Sequence, residues 1–198
     1  MWKQFVGTAC VLCLGVGLGV LSKFLDCTPS NSLPSLIEML DFRNFLGRFP
    51  FWILIPVCIS IYSRTPIRAA LNVFLFFVGM VSSYYLYSKY IAGFFPRTYA
   101  MIWAGFTILS PFLAYICWYA KGKTKVAVFL SAGIIAVLFN MTFSYGLLYF
   151  SVISPLELMV FLIGVFILRR NKKETVIMLG SAILLAFLLN MIVPFQFF

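Results

Sequence analysis

The chain has 198 residues, of which 63% are apolar, 19% aromatic and only 10% charged, and its mean hydropathy is +1.05. A soluble domain carries about 25% charged residues, so this sequence lacks the polar surface to cover a water-facing globule, and lipid is its expected solvent. The net charge of +10 sits in short clusters between apolar runs, as membrane orientation requires and nucleic-acid binding does not, and the absence of histidine excludes Ser-His-Asp triads, Cys-His dyads and His-ligated zinc.

In lipid only helices and closed barrels satisfy their own backbone groups. Barrel strands alternate apolar and polar residues over about ten positions. The runs here are continuous, so helices are expected. The predicted fold is an all-α polytopic transmembrane bundle of seven spans, forming a single domain over 1–198, or six spans if residues 50–63 are re-entrant.

The first predicted span is 5–21. Gly15 and Gly19 form a GxxxG spacing that permits close helix contact. Cys10 and Cys13 form a CxxC within it, and Cys58 and Cys117 also lie in apolar runs. With no second pair at metal spacing, these read as small apolar residues rather than a redox or metal site. Residues 23–48 form the longest polar segment and are expected to be an extracytoplasmic loop. In it Ser35 and Glu38 make an S-x-x-E capping box, and Leu33, Leu36, Ile37 and Leu40 share a face, which predicts a short amphipathic helix on the membrane surface.

The run 50–63 is short for a span and contains Pro56. Further runs follow at 68–88, 99–119, 126–150, 152–168 and 175–194. If 50–63 spans, the positive-inside rule places Lys3, Arg64, Arg68, the KGKTK loop and the RRNKKE loop in the cytoplasm, with an extracytoplasmic C-terminus. If it is re-entrant, the N-terminus flips, moving Lys3 outside and Lys23, Arg43 and Arg48 inside. Position 30 separates the two topologies. Tyr84, Tyr85, Tyr87, Tyr90, Trp118 and Tyr119 fall near the interfaces, as aromatic belts do.

The most informative pattern is internal. Residues 123–141, KTKVAVFLSAGIIAVLFNM, match 173–191, KETVIMLGSAILLAFLLNM, at an offset of 50. Ser131 pairs with Ser181, Ala132 with Ala182, Ala136 with Ala186, and Asn140-Met141 with Asn190-Met191. The offset spans one helical hairpin, so the copies run in the same direction, as in a parallel repeat. In each copy Ala, Ala and Asn recur every four residues and share a face, where small residues admit a second helix and the asparagine can bond across it.

Each asparagine lies about 22 Å above its basic loop at 1.5 Å per residue, in the outer half of the bilayer. Ser83, on the stripe Asn72, Phe76, Gly79, Ser83 and Tyr87, reaches a similar height. Ser144 and Tyr145 lie one turn above Asn140, and Glu157 and Trp103 lie near the outer starts of their helices. Asn140, Asn190, Glu157, Ser144, Tyr145, Ser83 and Trp103 are therefore the expected substrate-binding layer. Glu157 is the acidic residue of the later runs, and an ionisable group in a membrane is a functional candidate; next to Pro155 it also fits a helix N-terminus. Lys89 and Arg97 flank Phe94-Phe95-Pro96 and read as headgroup anchors.

These features point to a small-molecule transporter, or the substrate-binding membrane subunit of one, in a bacterial cytoplasmic membrane. No cofactor or metal is expected. The expected partners are membrane lipids, a small-molecule substrate and a protein at the basic cytoplasmic loops, since no phosphate-binding motif is present. The alternative is an accessory, assembly or immunity-type protein in which the asparagines only pack helices. An intramembrane lipid-modifying enzyme fits least, for want of acid-base pairs.

Overall fold

The computed structural model of the chain describes residues 2–29, 32–146 and 148–192, with backbone alone for 2–6. Position 30, which separates the two topologies, and the predicted end of the last run at Pro194 lie outside the described residues. In chain order the elements are α1 (Trp2–Cys27), α2 (Ser35–Met39), α3 (Phe42–Gly47), α4 (Phe49–Tyr62), α5 (Pro66–Tyr90), α6 (Arg97–Trp118), a 3-10 turn at Tyr119–Lys121, α7 (Lys125–Thr142), the strands β1 (Phe143–Tyr145) and β2 (Phe150–Val152), α8 (Pro155–Leu168) and α9 (Lys172–Ile192). The chain is predominantly helical, and α1, α5, α6, α7 and α9 each contain a stretch long and apolar enough to cross a membrane. α4 and α8 are apolar but have only 14 residues each.

Local chemistry sets the helix starts. Thr65, Thr124 and Ser154 stand at N-caps, and their hydroxyls accept from the backbone N–H groups of Arg68, Ala127 and Leu156 at 3.2 Å. Pro66 and Pro155 follow two of these caps, where a missing N–H costs nothing. Within α4, Pro56 leaves its turn short of a backbone bond, and the Ser60 hydroxyl donates to the Pro56 carbonyl at 2.7 Å.

α1 and α5 pack in parallel at close range. Gly15 abuts the Phe76 carbonyl, Gly19 abuts the Met80 carbonyl, and a Cβ on Gly79 would stand 2.7 Å from the Leu12 carbonyl. The GxxxG pair and the predicted stripe on α5 are thus the two faces of one interface. At one end Thr8 donates to Asn72 at 2.9 Å; at the other Tyr84 reaches Asp26 at 3.4 Å.

α4 runs the opposite way. Its start lies with the Arg48–Glu157 pair and with Trp103, and beyond its last residue the Ser63 carbonyl accepts from Trp118 Nε1 at 2.8 Å. α7 and α9 also lie side by side and parallel. Arg170 donates to the Gly122 carbonyl at 2.5 Å and to the Ala120 carbonyl, near their starts, and Asn140 reaches Ala186 near their ends. The predicted KGKTK and RRNKKE loops therefore meet at one end, hereafter the basic end. The opposite end carries α2, α3 and the β-hairpin, and residues 32–48 form its cover.

Three expectations are corrected. The polar segment was expected to begin at Lys23, but α1 continues to Cys27, so Lys23, Asp26 and Cys27 are helical. The single amphipathic helix of the cover is two short ones, broken at Asp41 in the left-handed region (φ 51°). No capping box forms: Pro34 takes the N-cap position without a side-chain bond, and Leu36 is exposed, while Phe45 and Leu46 on α3 carry the buried contacts. Finally, the apolar run 126–150 is not one helix. α7 stops at Thr142, and a hairpin pairs Phe143 with Val152 and Tyr145 with Phe150. Gly146 makes the turn, donating to the Tyr149 carbonyl at 2.9 Å, and Phe143 stacks on Phe150 at 5.1 Å.

Candidate functional site

The structure places the residues of the predicted binding layer apart. Asn140 is 5% exposed, and both ends of its carboxamide are engaged. Nδ2 donates to the Ala186 carbonyl of α9 at 2.9 Å, and Oδ1 accepts from the Tyr145 hydroxyl at 2.6 Å. The Tyr145 ring meets Phe187 edge-on at 5.0 Å, and burial holds its phenol above its usual range. Asn190, one turn beyond Ala186, is half-buried and makes no side-chain hydrogen bond among the described residues. Ser144 faces Ser151 across the hairpin. Ser83 belongs to the α1–α5 contact, its hydroxyl 3.0 Å from the Val16 carbonyl.

Glu157 is fully buried at the start of α8. Arg48, at the junction of α3 and α4, donates to its Oε1 at 2.7 Å, and Thr142 donates to its backbone carbonyl at 3.2 Å. Its Oε2 has no hydrogen-bond partner among the described residues. Asp41 stands 3.7 Å from the other side of the same guanidinium. This pair fastens the cover to α8.

Trp103 lies elsewhere, stacked on Phe49 at 5.3 Å and edge-on to Trp52 at 6.4 Å. Trp52 is itself fixed by donating Nε1 to the buried Leu46 carbonyl at 2.7 Å. Both indoles line each of two neighbouring cavities. Below them an apolar groove of 560 Å³ runs between α4, α6 and α7, past Val57, Phe106, Leu113, Phe129 and Val137. Above them a smaller chamber of 340 Å³ lies beneath the cover, lined by Lys23, Asp26, Arg43, Tyr84 and Tyr99 among others.

The charges of the upper chamber are unequal. Lys23 is 1% exposed, bonded to Asp26 at 2.6 Å, with the Tyr84 and Phe94 rings 5.1 and 4.5 Å from its ammonium. A buried lysine is tolerated because it is paired and ring-flanked. Arg43, from α3, forms no hydrogen bond or ion pair among the described residues. One positive charge in the chamber wall is therefore uncompensated.

Of the predicted layer, Trp103 alone lines both cavities. Sequence reasoning missed Lys23, Asp26, Arg43, Trp52 and Tyr84 as a group. The available signal was the i, i+3 spacing of Lys23 and Asp26, which continues the first helix beyond its apolar run. No group of three or more metal-ligating side chains exists among the described residues. Comparison with protein-family models, curated proteins and solved structures finds no match to the chain.

Proposed function

We propose that this membrane protein binds a small molecule in the outer half of the bilayer, as a transporter or as the substrate-binding subunit of one. The observation that carries the reading is the pair of cavities meeting at Trp52 and Trp103, one apolar and one with an uncompensated guanidinium. Ligand sites are typically mostly apolar cavities of about 300–1,000 Å³ with a few placed polar groups. In this reading the binding wall is Trp103, Trp52, Arg43 and Tyr84. Ser83 instead holds α5 against α1 through the Val16 carbonyl, and Asn140 and Tyr145 hold α9 against α7.

The alternation of helix ends supports seven crossings. α1, α5, α7 and α9 run from the basic end to the cover end, and α4, α6 and α8 return. At 14 residues α4 and α8 are each about 21 Å long, so the bilayer thins or the flanking residues reach to the interface. The positive-inside rule then sets the basic end in the cytoplasm and the cover and C-terminus outside, in a bacterial cytoplasmic membrane. The parallel lie of α7 and α9 fits a duplication of the α7–α8 hairpin, and the basic end is the surface for a protein partner. A cysteine replacing Arg43, in a cysteine-free background, is expected to react with an impermeant reagent from outside, and one replacing Pro66 from inside only.

The engaged carboxamide of Asn140 favours a second reading, an accessory protein without a ligand. Native mass spectrometry of protein gently extracted from its own membrane separates the two. A retained small molecule supports binding, whereas a protein partner without any ligand supports the accessory role and sinks the proposal.

A further inference from the structure

Resting on the ligand-binding reading, we propose that the two cavities take one lipid with an anionic headgroup, its head against Arg43 and an acyl chain in the groove below Trp52 and Trp103. The groove offers a polar ligand little. The Ser60 and Ser110 hydroxyls on its walls donate to the Pro56 and Thr107 carbonyls at 2.7 and 2.8 Å, so neither has a donor left and only their oxygens can accept. A headgroup oxygen placed there would lose its water and find no hydroxyl donor.

Length and access suit a chain. Lining residues on α6 run from Trp103 to Cys117, about 21 Å along the helix at 1.5 Å per residue. The groove therefore follows the bilayer normal, as acyl chains do. Phe106, Leu113, Ile116 and Phe129 along it are exposed, so a chain enters sideways from the bilayer.

The headgroup follows from the charges above. Asp26 is bonded to Lys23, and the Tyr84 and Phe94 faces already receive the Lys23 ammonium. A choline would find the chamber's carboxylate, Asp26, already paired, and would meet the Arg43 charge instead. The free Arg43 guanidinium presents a fork of donors that matches phosphate or carboxylate.

The test uses tryptophan quenching by brominated acyl chains in phosphatidylcholine vesicles. A Trp2→Phe/Trp118→Phe background retains Trp52 and Trp103, the two indoles at the head of the groove. Bromine is carried either on phosphatidylglycerol or on an equal fraction of phosphatidylcholine. We expect a roughly tenfold binding preference for phosphatidylglycerol, the factor that 1.4 kcal/mol of headgroup contact provides. Arg43→Gln should abolish the preference. Gly133→Phe should abolish quenching by both lipids. A Cβ at Gly133 meets nothing within 4 Å, so the new ring fills the groove without a clash at its root. Equal quenching by the two lipids overturns the proposal, as does quenching unchanged in Gly133→Phe, which marks annular lipid only. If the proposal fails while mass spectrometry finds a non-lipid small molecule, the ligand-binding reading survives; if neither lipid nor small molecule binds, both fall.

Discussion

The Arg48–Glu157 pair makes an asymmetric prediction. Glu157 is wholly buried, with Oε1 held by Arg48 at 2.7 Å and Oε2 without a partner among the described residues, whereas the Arg48 side chain is 33% exposed and also faces Asp41. Arg48→Ala leaves a buried carboxylate with no partner for either oxygen. Removing one member of a buried pair costs about 3–5 kcal/mol, and the partial exposure of Arg48 puts this site near 3. Glu157→Gln strands only a guanidinium that reaches water and Asp41, and a neutral amide can still accept from it, so its cost is about 1 kcal/mol. Arg48→Met with Glu157→Leu removes both charges and should recover most of the loss. The assay is chemical unfolding in detergent, followed by helical circular dichroism and compared at equal protein-to-detergent ratio. Equal losses for the two single variants, or a double variant as unstable as Arg48→Ala, would refute this account of how the cover is fastened.

Asn140→Ala should lower stability by about 0.6–1.7 kcal/mol, the range of interhelical bonds in membranes, while Asn190→Ala changes it little; equal effects in the same unfolding assay would count against the assigned bonds. Gly79→Val drives a side chain into the Leu12 backbone and should cost about 1–3 kcal/mol or more, read as a lowered unfolding midpoint, where Gly133→Ala is tolerated. Because burial raises the Tyr145 phenol in the folded state, its stabilisation is complete below the unfolded value of about 10 and is lost as pH rises through the folded one. Tyr145→Phe should flatten that alkaline loss in a pH series of unfolding midpoints.

Much of the helical order is legible in composition and spacing. Gly15, Gly19 and Gly79 announce a close interface because only a missing Cβ lets two backbones approach, and α1 and α5 meet there. The hairpin is not legible. Between Asn140 and Phe150 the chain stays apolar and aromatic, and periodicity cannot separate a buried helix from a short strand pair. What decides it is the meeting of Phe139, Phe143, Phe150 and Phe161, a tertiary contact. The cover splits for a similar reason. Its surface-helix pattern is real, but Phe45 and Leu46 are drawn into the core, and the chain turns at Asp41 to place them.

The cavity-lining group was not legible as a set of partners. Height above the basic loops groups polar residues by level, yet it does not say which helices face each other. Asn140 and Ser83 turn toward neighbouring backbones, while Lys23 and Arg43, from a helix end and a cover helix, converge only through folding.

The most direct test is a cryo-electron microscopy map of the protein in nanodiscs cut from its own membrane. The account predicts one elongated density that begins beside Arg43, passes Trp52 and Trp103 and continues down the groove toward Cys117. A groove closed by its own side chains, or lipid density confined to the outer ring around α6 and α9, would contradict it.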